Sequence, residues 1–219
     1  MKFKMAAFCT AAVTFTFLSA CGSSTVTENT VELKKDGSIV EYTVEEFSAS
    51  YYDADELASF VDAEIESYLA ENDGEIKVSR NEVEDENAYL TLKYDSADTY
   101  ADFNGTECFA GSIVQAQTAG YDFDQEFLDV NAEDGDESDD GSVSVEEVVI
   151  QAVVPGSILI EDDNLQVLIV QSGSNVIVPG KIQYVSADID VEIQGTDTAV
   201  IQTDADGGSS EELIYILYK

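Results

Sequence analysis

Thr30-Val31-Glu32-Leu33-Lys34-Lys35-Asp36-Gly37-Ser38-Ile39-Val40-Glu41-Tyr42-Thr43-Val44, followed after a short break by Asp53-Ala54-Asp55-Glu56-Leu57, is the stretch that decides the fold class. Thr30 to Lys35 and Ser38 to Ser48 are alternating runs around Asp36-Gly37, a dipeptide that favours a tight hairpin turn with both residues at positive φ. A β-hairpin is therefore expected here. Asp53 then reads as a helix start, its carboxylate accepting an amide hydrogen bond and Glu56 reaching back. Leu57, Phe60, Val61, Ile65, Tyr68 and Leu69 recur at helical spacing on one face, with Asp62, Glu64, Glu66 and Glu71 off it. Asn72-Asp73-Gly74 ends the segment. The apolar stripe suits either a partner groove or packing on the neighbouring hairpin, and packing is the simpler use.

Working outward, residues 76 to 83 and 88 to 94 alternate around Glu84-Asp85-Glu86-Asn87. That predicts a second hairpin with Tyr89, Thr91 and Lys93 on one face and Leu90, Leu92 and Tyr94 on the other. Ser96 to Asn104, closed by Gly105, reads as a short helix with Tyr100 and Phe103 inward. Ser112 to Ala119, ending at Gly120, reads as another, although Ile113-Val114 suits a strand equally. Phe123 to Val130 resembles a strand. The expected class is α+β: antiparallel β-hairpins with one long amphipathic helix over a sheet, then a β-rich C-terminal region.

Residues 150 to 195 hold a weak internal repeat. Val153-Val154-Pro155-Gly156 returns 24 residues on as Ile177-Val178-Pro179-Gly180, and Ile158 keeps step with Ile182, Leu165 with Ile189 and Val167 with Val191. Two such units could stack as coils of a solenoid, lie as neighbouring hairpins, or be no duplication at all. Thr198 to Thr203 and Leu213 to Tyr218 read as further strands around a Gly- and Ser-rich loop at Asp204 to Ser210. The expected units are an α+β domain at 30–131, an acidic linker at 132–147 and a β-rich domain at 148–219.

The acidic stretch supports two main readings. The first is a solvated linker. The second counts from Asp136: Asp136, Ser138, Asp140, Gly141 and Glu147 fall at positions 1, 3, 5, 6 and 12 of an EF-hand calcium loop, with the Ser142 carbonyl at position 7. Side-chain oxygens would surround the ion, Gly141 would make the sharp turn and Glu147 would close bidentately. Against this, Ser138 replaces the usual Asp or Asn, and Val148 to Pro155 is β-branched where an exiting helix is wanted. The linker reading is preferred. No cofactor is expected beyond a calcium ion at that candidate loop, and a catalytic carboxylate pair cannot be picked out among so many acids.

Composition narrows the chemistry. There are 46 Asp and Glu against nine Lys and Arg, no His, no Trp and three Cys. The absence of histidine removes Ser-His-Asp and Cys-His nucleophilic sites and the usual zinc ligand, leaving hard cations as the fitting metals. Nucleic acid is excluded as a partner, because its binding depends on basic residues neutralising phosphates. Cations and basic extracellular partners fit the charge instead.

At the start of the chain, Met1-Lys2-Phe3-Lys4 is basic and Met5 to Ala20 carries no charge, the layout of a bacterial secretory signal. Sixteen residues fall short of the ~20 a spanning helix needs. The segment ends in Leu18-Ser19-Ala20-Cys21, which resembles the lipobox of bacterial lipoproteins. That resemblance implies a signal peptide at 1–20, cleavage before Cys21, a diacylglyceryl group on the Cys21 sulfur and a tether at 21–29. It places the chain on the outer face of the cell membrane, held only through lipid. Cys9 leaves with the signal, so Cys108 remains alone and reads as a small buried core residue. The mature chain carries seven bases and 46 acids, a formal charge of 7 minus 46, or −39.

The Tyr51-Tyr52-Asp53 and Tyr121-Asp122-Phe123 segments, Pro179 to Ser186 and the closing Tyr215-Ile216-Leu217-Tyr218-Lys219 are together similar to uncharacterised surface lipoproteins of gut-dwelling Gram-positive bacteria. The resemblance implies no functional residue beyond Cys21. The expected function is a non-enzymatic binding or structural module. The alternatives are a calcium-binding surface module and a glycan-binding or glycosidase-like protein, the latter weakened by the lack of Trp and kept open by 11 Tyr.

Overall fold

A computed structural model describes residues 26–130, 150–171, 173–201 and 212–219. Its elements run β1 (Thr30–Leu33), β2 (Ile39–Glu46), α1 (Ala54–Glu71), β3 (Ile76–Glu84), β4 (Asn87–Tyr94), α2 (Ala97–Asn104), β5 (Cys108–Ser112), α3 (Ile113–Ala119) and β6 (Glu126–Val130). They continue with β7 (Ile150–Pro155), α4 (Gly156–Leu159), β8 (Gln166–Gln171), β9 (Asn175–Ile177), β10 (Ile182–Ser186), β11 (Val191–Gln194), β12 (Thr198–Ile201) and β13 (Leu213–Tyr218). The fold is mixed and mostly β.

Two sheets organise it. The first has the order β11-β12-β9-β1-β2-β4-β3 and the second β5-β8-β13-β10-β6-β7. Neighbours are antiparallel except β1 and β9, which run parallel with Val31 opposite Val176. Period-2 alternation sends Val31, Leu33, Ile39, Leu92, Val176, Ile193 and Ala199 of the first sheet to the same core as Leu168, Val170, Val185, Ile214 and Ile216 of the second. The sheets therefore pack face to face. The other face of the second sheet sends Val167, Ile169, Tyr215 and Leu217 into a second core, closed by Ile113 and Ala116 of α3 and Leu159 of α4. β8 and β13 are thus buried on both faces, which is why Gln166–Gln171 and Leu213–Tyr218 read as nearly unbroken apolar runs.

This topology corrects the expected division into two domains. Each sheet draws strands from both sides of residues 131–149, and one core spans them, so 30–131 and 148–219 do not fold as separate units. The reason is pairing: β9 joins the edge of β1 that β2 leaves free, and β5 and β6 find partners only in β8, β7 and β10. The repeat is corrected in the same way. Its first copy keeps to the second sheet, in β7 and β8, whereas its second starts on β9 of the first sheet, crosses to β10 of the second and returns to β11 of the first. Ile158 is 61% exposed where its sequence counterpart Ile182 is 1% exposed.

The helix expected after Asp53 is present, with Asp53 Oδ1 accepting from the amides of Asp55 (2.9 Å) and Glu56 (3.0 Å). It buries less than its sequence pattern promised. Val61 and Ile65 enter the core with Leu57 and Tyr68 packed beside them, while Phe60 is 60% exposed. Most of the cover on the first sheet comes from the second sheet instead. α2 and α3 begin at the expected serines: Ser96 accepts from the Thr99 amide, and Ser112 and Gln115 form a capping box.

The two hairpin turns exchange roles relative to expectation. At the β1–β2 turn only Gly37 has positive φ (84°); Gly37 N donates to Lys34 O (3.0 Å) and Lys34 N to Ser38 O (2.8 Å). That is a type I turn closed by a glycine bulge. The turn with both central residues at positive φ is Asp85-Glu86 (48° and 63°), which joins β3 to β4 without any glycine. Two residues are all that separate these strands, so the twist of the long ladder imposes the conformation.

Candidate functional site at the two ends of the seven-stranded sheet

The chain's bases collect at one end of the first sheet. Of the seven Lys and Arg after residue 25, Lys34 and Lys35 lie at the β1–β2 turn, Lys77 and Lys93 are opposite one another on β3 and β4, and Lys181 follows Pro179-Gly180. A cleft of about 480 Å³ opens there, lined by Lys34, Lys35, Pro179, Lys181, Thr196 and Asp197 among others. It exists because the parallel β1–β9 ladder stops at Glu32 and Ile177. Pro179 has no N–H with which to continue it, and the chain turns away to the second sheet.

Three of the five lysines at this end are compensated, Lys34 inside the cleft and Lys77 and Lys93 beside it. Lys34 pairs with Glu32, Lys77 with Glu75 at 2.8 Å and Lys93 with Asp36 at 3.8 Å. Such exposed pairs contribute little to stability. Asp36 also accepts from the Ser38 hydroxyl (2.6 Å) and amide (3.1 Å), and these bonds, with Lys93 nearby, lower its pKa. Lys35 and Lys181 are exposed and make no ion pair with the described residues.

Between the ends lies a carboxyl that alternation turns inward. Glu41 sits on the core-facing side of β2 between Val31 and Leu92. Its Oε2 accepts from the Tyr94 hydroxyl at 2.6 Å and from Asn104 Nδ2 at 3.4 Å, and Asn104 also donates to the Tyr94 oxygen at 3.2 Å. Desolvation raises the Glu41 pKa above its ordinary 4.5, outweighing the two hydrogen bonds that favour the charged form. Burial and the Glu41 charge raise Tyr94 in turn. A raised acid pKa means the folded state binds the proton more tightly than the unfolded one. Its stabilisation is complete below 4.5 and is lost as pH rises through the folded value. Glu41→Gln should therefore gain melting temperature relative to the parent as pH rises from 4 to 8, and a difference that stays flat with pH would show that no such titration occurs.

At the opposite end, where β1 begins and β2 ends, three rings meet at the surface. Phe47 and Tyr52 stack with centroids 4.7 Å apart, and Tyr51 meets Tyr52 edge to face at 4.8 Å. Tyr51 is 79% exposed and Tyr52 47%. Their backbone is fixed: Phe47 N donates to Glu86 O of the β3–β4 turn (2.7 Å) and Tyr52 N to Ala49 O (2.9 Å), immediately before the Asp53 cap. The chain enters β1 beside them, since Asn29 holds Val44 N (2.7 Å) and Glu45 (3.2 Å).

Cys21 and the candidate calcium residues Asp136, Ser138, Asp140, Ser142 and Glu147 lie outside the described residues. Among the described residues no group of three or more His, Cys, Asp or Glu side chains is placed to hold a metal ion, and no helix is long and apolar enough to cross a membrane. Cys108 is buried on β5, where desolvation pushes its thiol up to about 12, an inert core thiol as its sequence setting implied. Sequence reading passed over Glu41 and the Phe47, Tyr51, Tyr52 group. The available signals were a carboxylate sharing strand parity with Ile39, and a Tyr-Tyr doublet in an otherwise polar connection. No family model, characterised protein or solved structure matches this chain.

Proposed function

We propose that the mature chain is a lipid-anchored, non-enzymatic binding module on the outer face of the cytoplasmic membrane. The observation that carries this reading is Leu18-Ser19-Ala20-Cys21 closing the uncharged segment Met5 to Ala20. Two acyl chains on Cys21 would anchor stably, each buried methylene adding ~0.8 kcal/mol. The polar residues Gly22 to Thr27 would reach at most ~20 Å before the fold begins. The large negative charge repels anionic lipid, which leaves the thioether as the attachment.

Binding rather than turnover is supported by composition, since histidine is absent and bases are few. It is supported also by the sheet geometry, which presents fixed surface groups at its two ends. In the producing cell, Cys21→Ala should move the protein from the membrane fraction to the medium as a folded, soluble chain. Retention of that variant in the membrane would refute the anchor, and turnover of a peptidoglycan, ester or glycan substrate by the purified chain would refute the non-enzymatic role.

A further inference from the structure

We infer that the Phe47, Tyr51 and Tyr52 surface is a docking site for an arginine- or lysine-bearing peptide segment of a partner protein. This deepens the binding-module reading by naming the site and the class of partner, and it holds whether or not Cys21 is lipidated. Tyr51 is 79% exposed, and it meets edge to face the Tyr52 ring that stacks on Phe47. A large aromatic surface held this rigidly costs a partner little ordering entropy.

The kind of occupant follows from charge. Between Lys35 and Lys77 the chain carries 13 Asp and Glu and no Lys or Arg, and the rings lie within this segment. Glu46, with Ser48 bonded to it, precedes the rings; Asp53, Asp55 and Glu56 follow; Asp85 and Glu86 form the turn bonded to Phe47. Five of the seven bases sit at the opposite end of the same sheet. A cationic segment is thus steered to the aromatic end, while nucleic acid, anionic glycan and anionic lipid are repelled from it. Over Tyr51 a guanidinium or ammonium is attracted by the ring quadrupole as well as by the field. The protein already makes this contact internally on the same sheet, with the Arg80 guanidinium 4.0 Å from the Tyr89 ring centroid.

The test uses the Cys21→Ala chain in solution, so that failure of the anchor shows in cell fractionation and failure of this inference shows only here. Fluorescein-labelled octa-arginine is titrated by anisotropy at 0.15 M salt against the parent, Tyr51→Ala/Tyr52→Ala, Tyr51→Phe and an exposed charge control, Asp62→Asn/Glu66→Gln. The double alanine variant should weaken binding about five- to thirty-fold, the sum of two exposed cation–π contacts. Tyr51→Phe, which keeps the ring, should bind like the parent, and the charge control should weaken binding less than about two-fold while flattening its salt dependence. Matching melting temperatures would show that the variants fold. Equal binding by the parent and the double alanine variant would overturn the inference in favour of the general field. Ring-dependent binding of phosphatidylcholine vesicles or a neutral chitooligosaccharide, with octa-arginine unaffected, would overturn it in favour of a membrane or sugar occupant.

Discussion

Gly180→Ala should unfold well below the parent, by about 3 kcal/mol from overpacking. In a chain of this size that corresponds to a fall of about 6–12 °C in melting temperature. A Cβ on Gly180 would overlap the carbonyl oxygen of Lys219, and it would lie 2.8 Å from that residue's carbonyl carbon and 3.1 Å from the Tyr218 ring. The obstruction is backbone, so no rotamer change relieves it. Lys181 and Lys219 exchange two backbone hydrogen bonds at this point (2.8 and 3.0 Å), and Lys219 Nζ reaches Asp162 at 2.8 Å. Moving the end of β13 away to admit a methyl breaks that closure and loosens the buried Tyr218. Gly37→Ala is the comparison. Gly37 has positive φ (84°) but open space around the added carbon, so the cost there is conformational, about 1–2 kcal/mol. Equal losses in the two variants by urea unfolding would mean that the Gly180 contact with Lys219 is not tight.

Ile182→Ala should destabilise by about 2–5 kcal/mol, the cost of a large-to-small change in a packed core, whereas Ile158→Ala should change stability by less than about 0.5 kcal/mol. The two positions are counterparts in the 24-residue repeat. Ile182, at 1% exposure, opposes Tyr218 across the β10–β13 ladder, and its amide donates to Thr196 O at 2.8 Å. Ile158 lies on α4 with 61% of its surface in solvent. Denaturant titration of both variants distinguishes the cases directly. Similar losses at the two sites would revive the duplication as a structural repeat.

The repeat shows why part of the fold escaped sequence reading. Pro155-Gly156 and Pro179-Gly180 place a glycine where backbones nearly touch, Gly156 against the Phe123 and Gln125 carbonyls and Gly180 against Lys219. Local chemistry is shared, hence the similar sequences. The strands that precede them join different sheets, and pairing partners far along the chain made that choice. The hairpin turns give the same lesson on a smaller scale. Asp36-Gly37 suggested a two-residue turn, but the added bulge let Asp36 bond Ser38, while Asp85 and Glu86 were driven to positive φ by the ladder they close. Helix starts were legible because a cap is a bond between residues two or three apart: Asp53, Ser96 and Ser112 each act as read. Of the surface groups, the Phe47, Tyr51, Tyr52 cluster was illegible as a unit, since Phe47 is positioned by Glu86 from another hairpin.

By itself the sequence determined the starts and spans of α1, α2 and α3 but not α4, and with them the two N-terminal hairpins, the inert setting of Cys108, the exclusion of histidine-based chemistry and the charge that any partner must meet. These depend on neighbours within a few residues or on sums over the whole chain, and both can be read without coordinates. Only the tertiary structure decided that one pair of sheets, rather than two domains, holds the chain together. It alone placed Glu41 against Tyr94, gathered the lysines at one end of a sheet and set three rings among carboxylates at the other. Each of those outcomes rests on hydrogen-bonded pairing between strands distant in sequence. The free energy of such pairing is shared among all the strands of a sheet and recorded in no single segment.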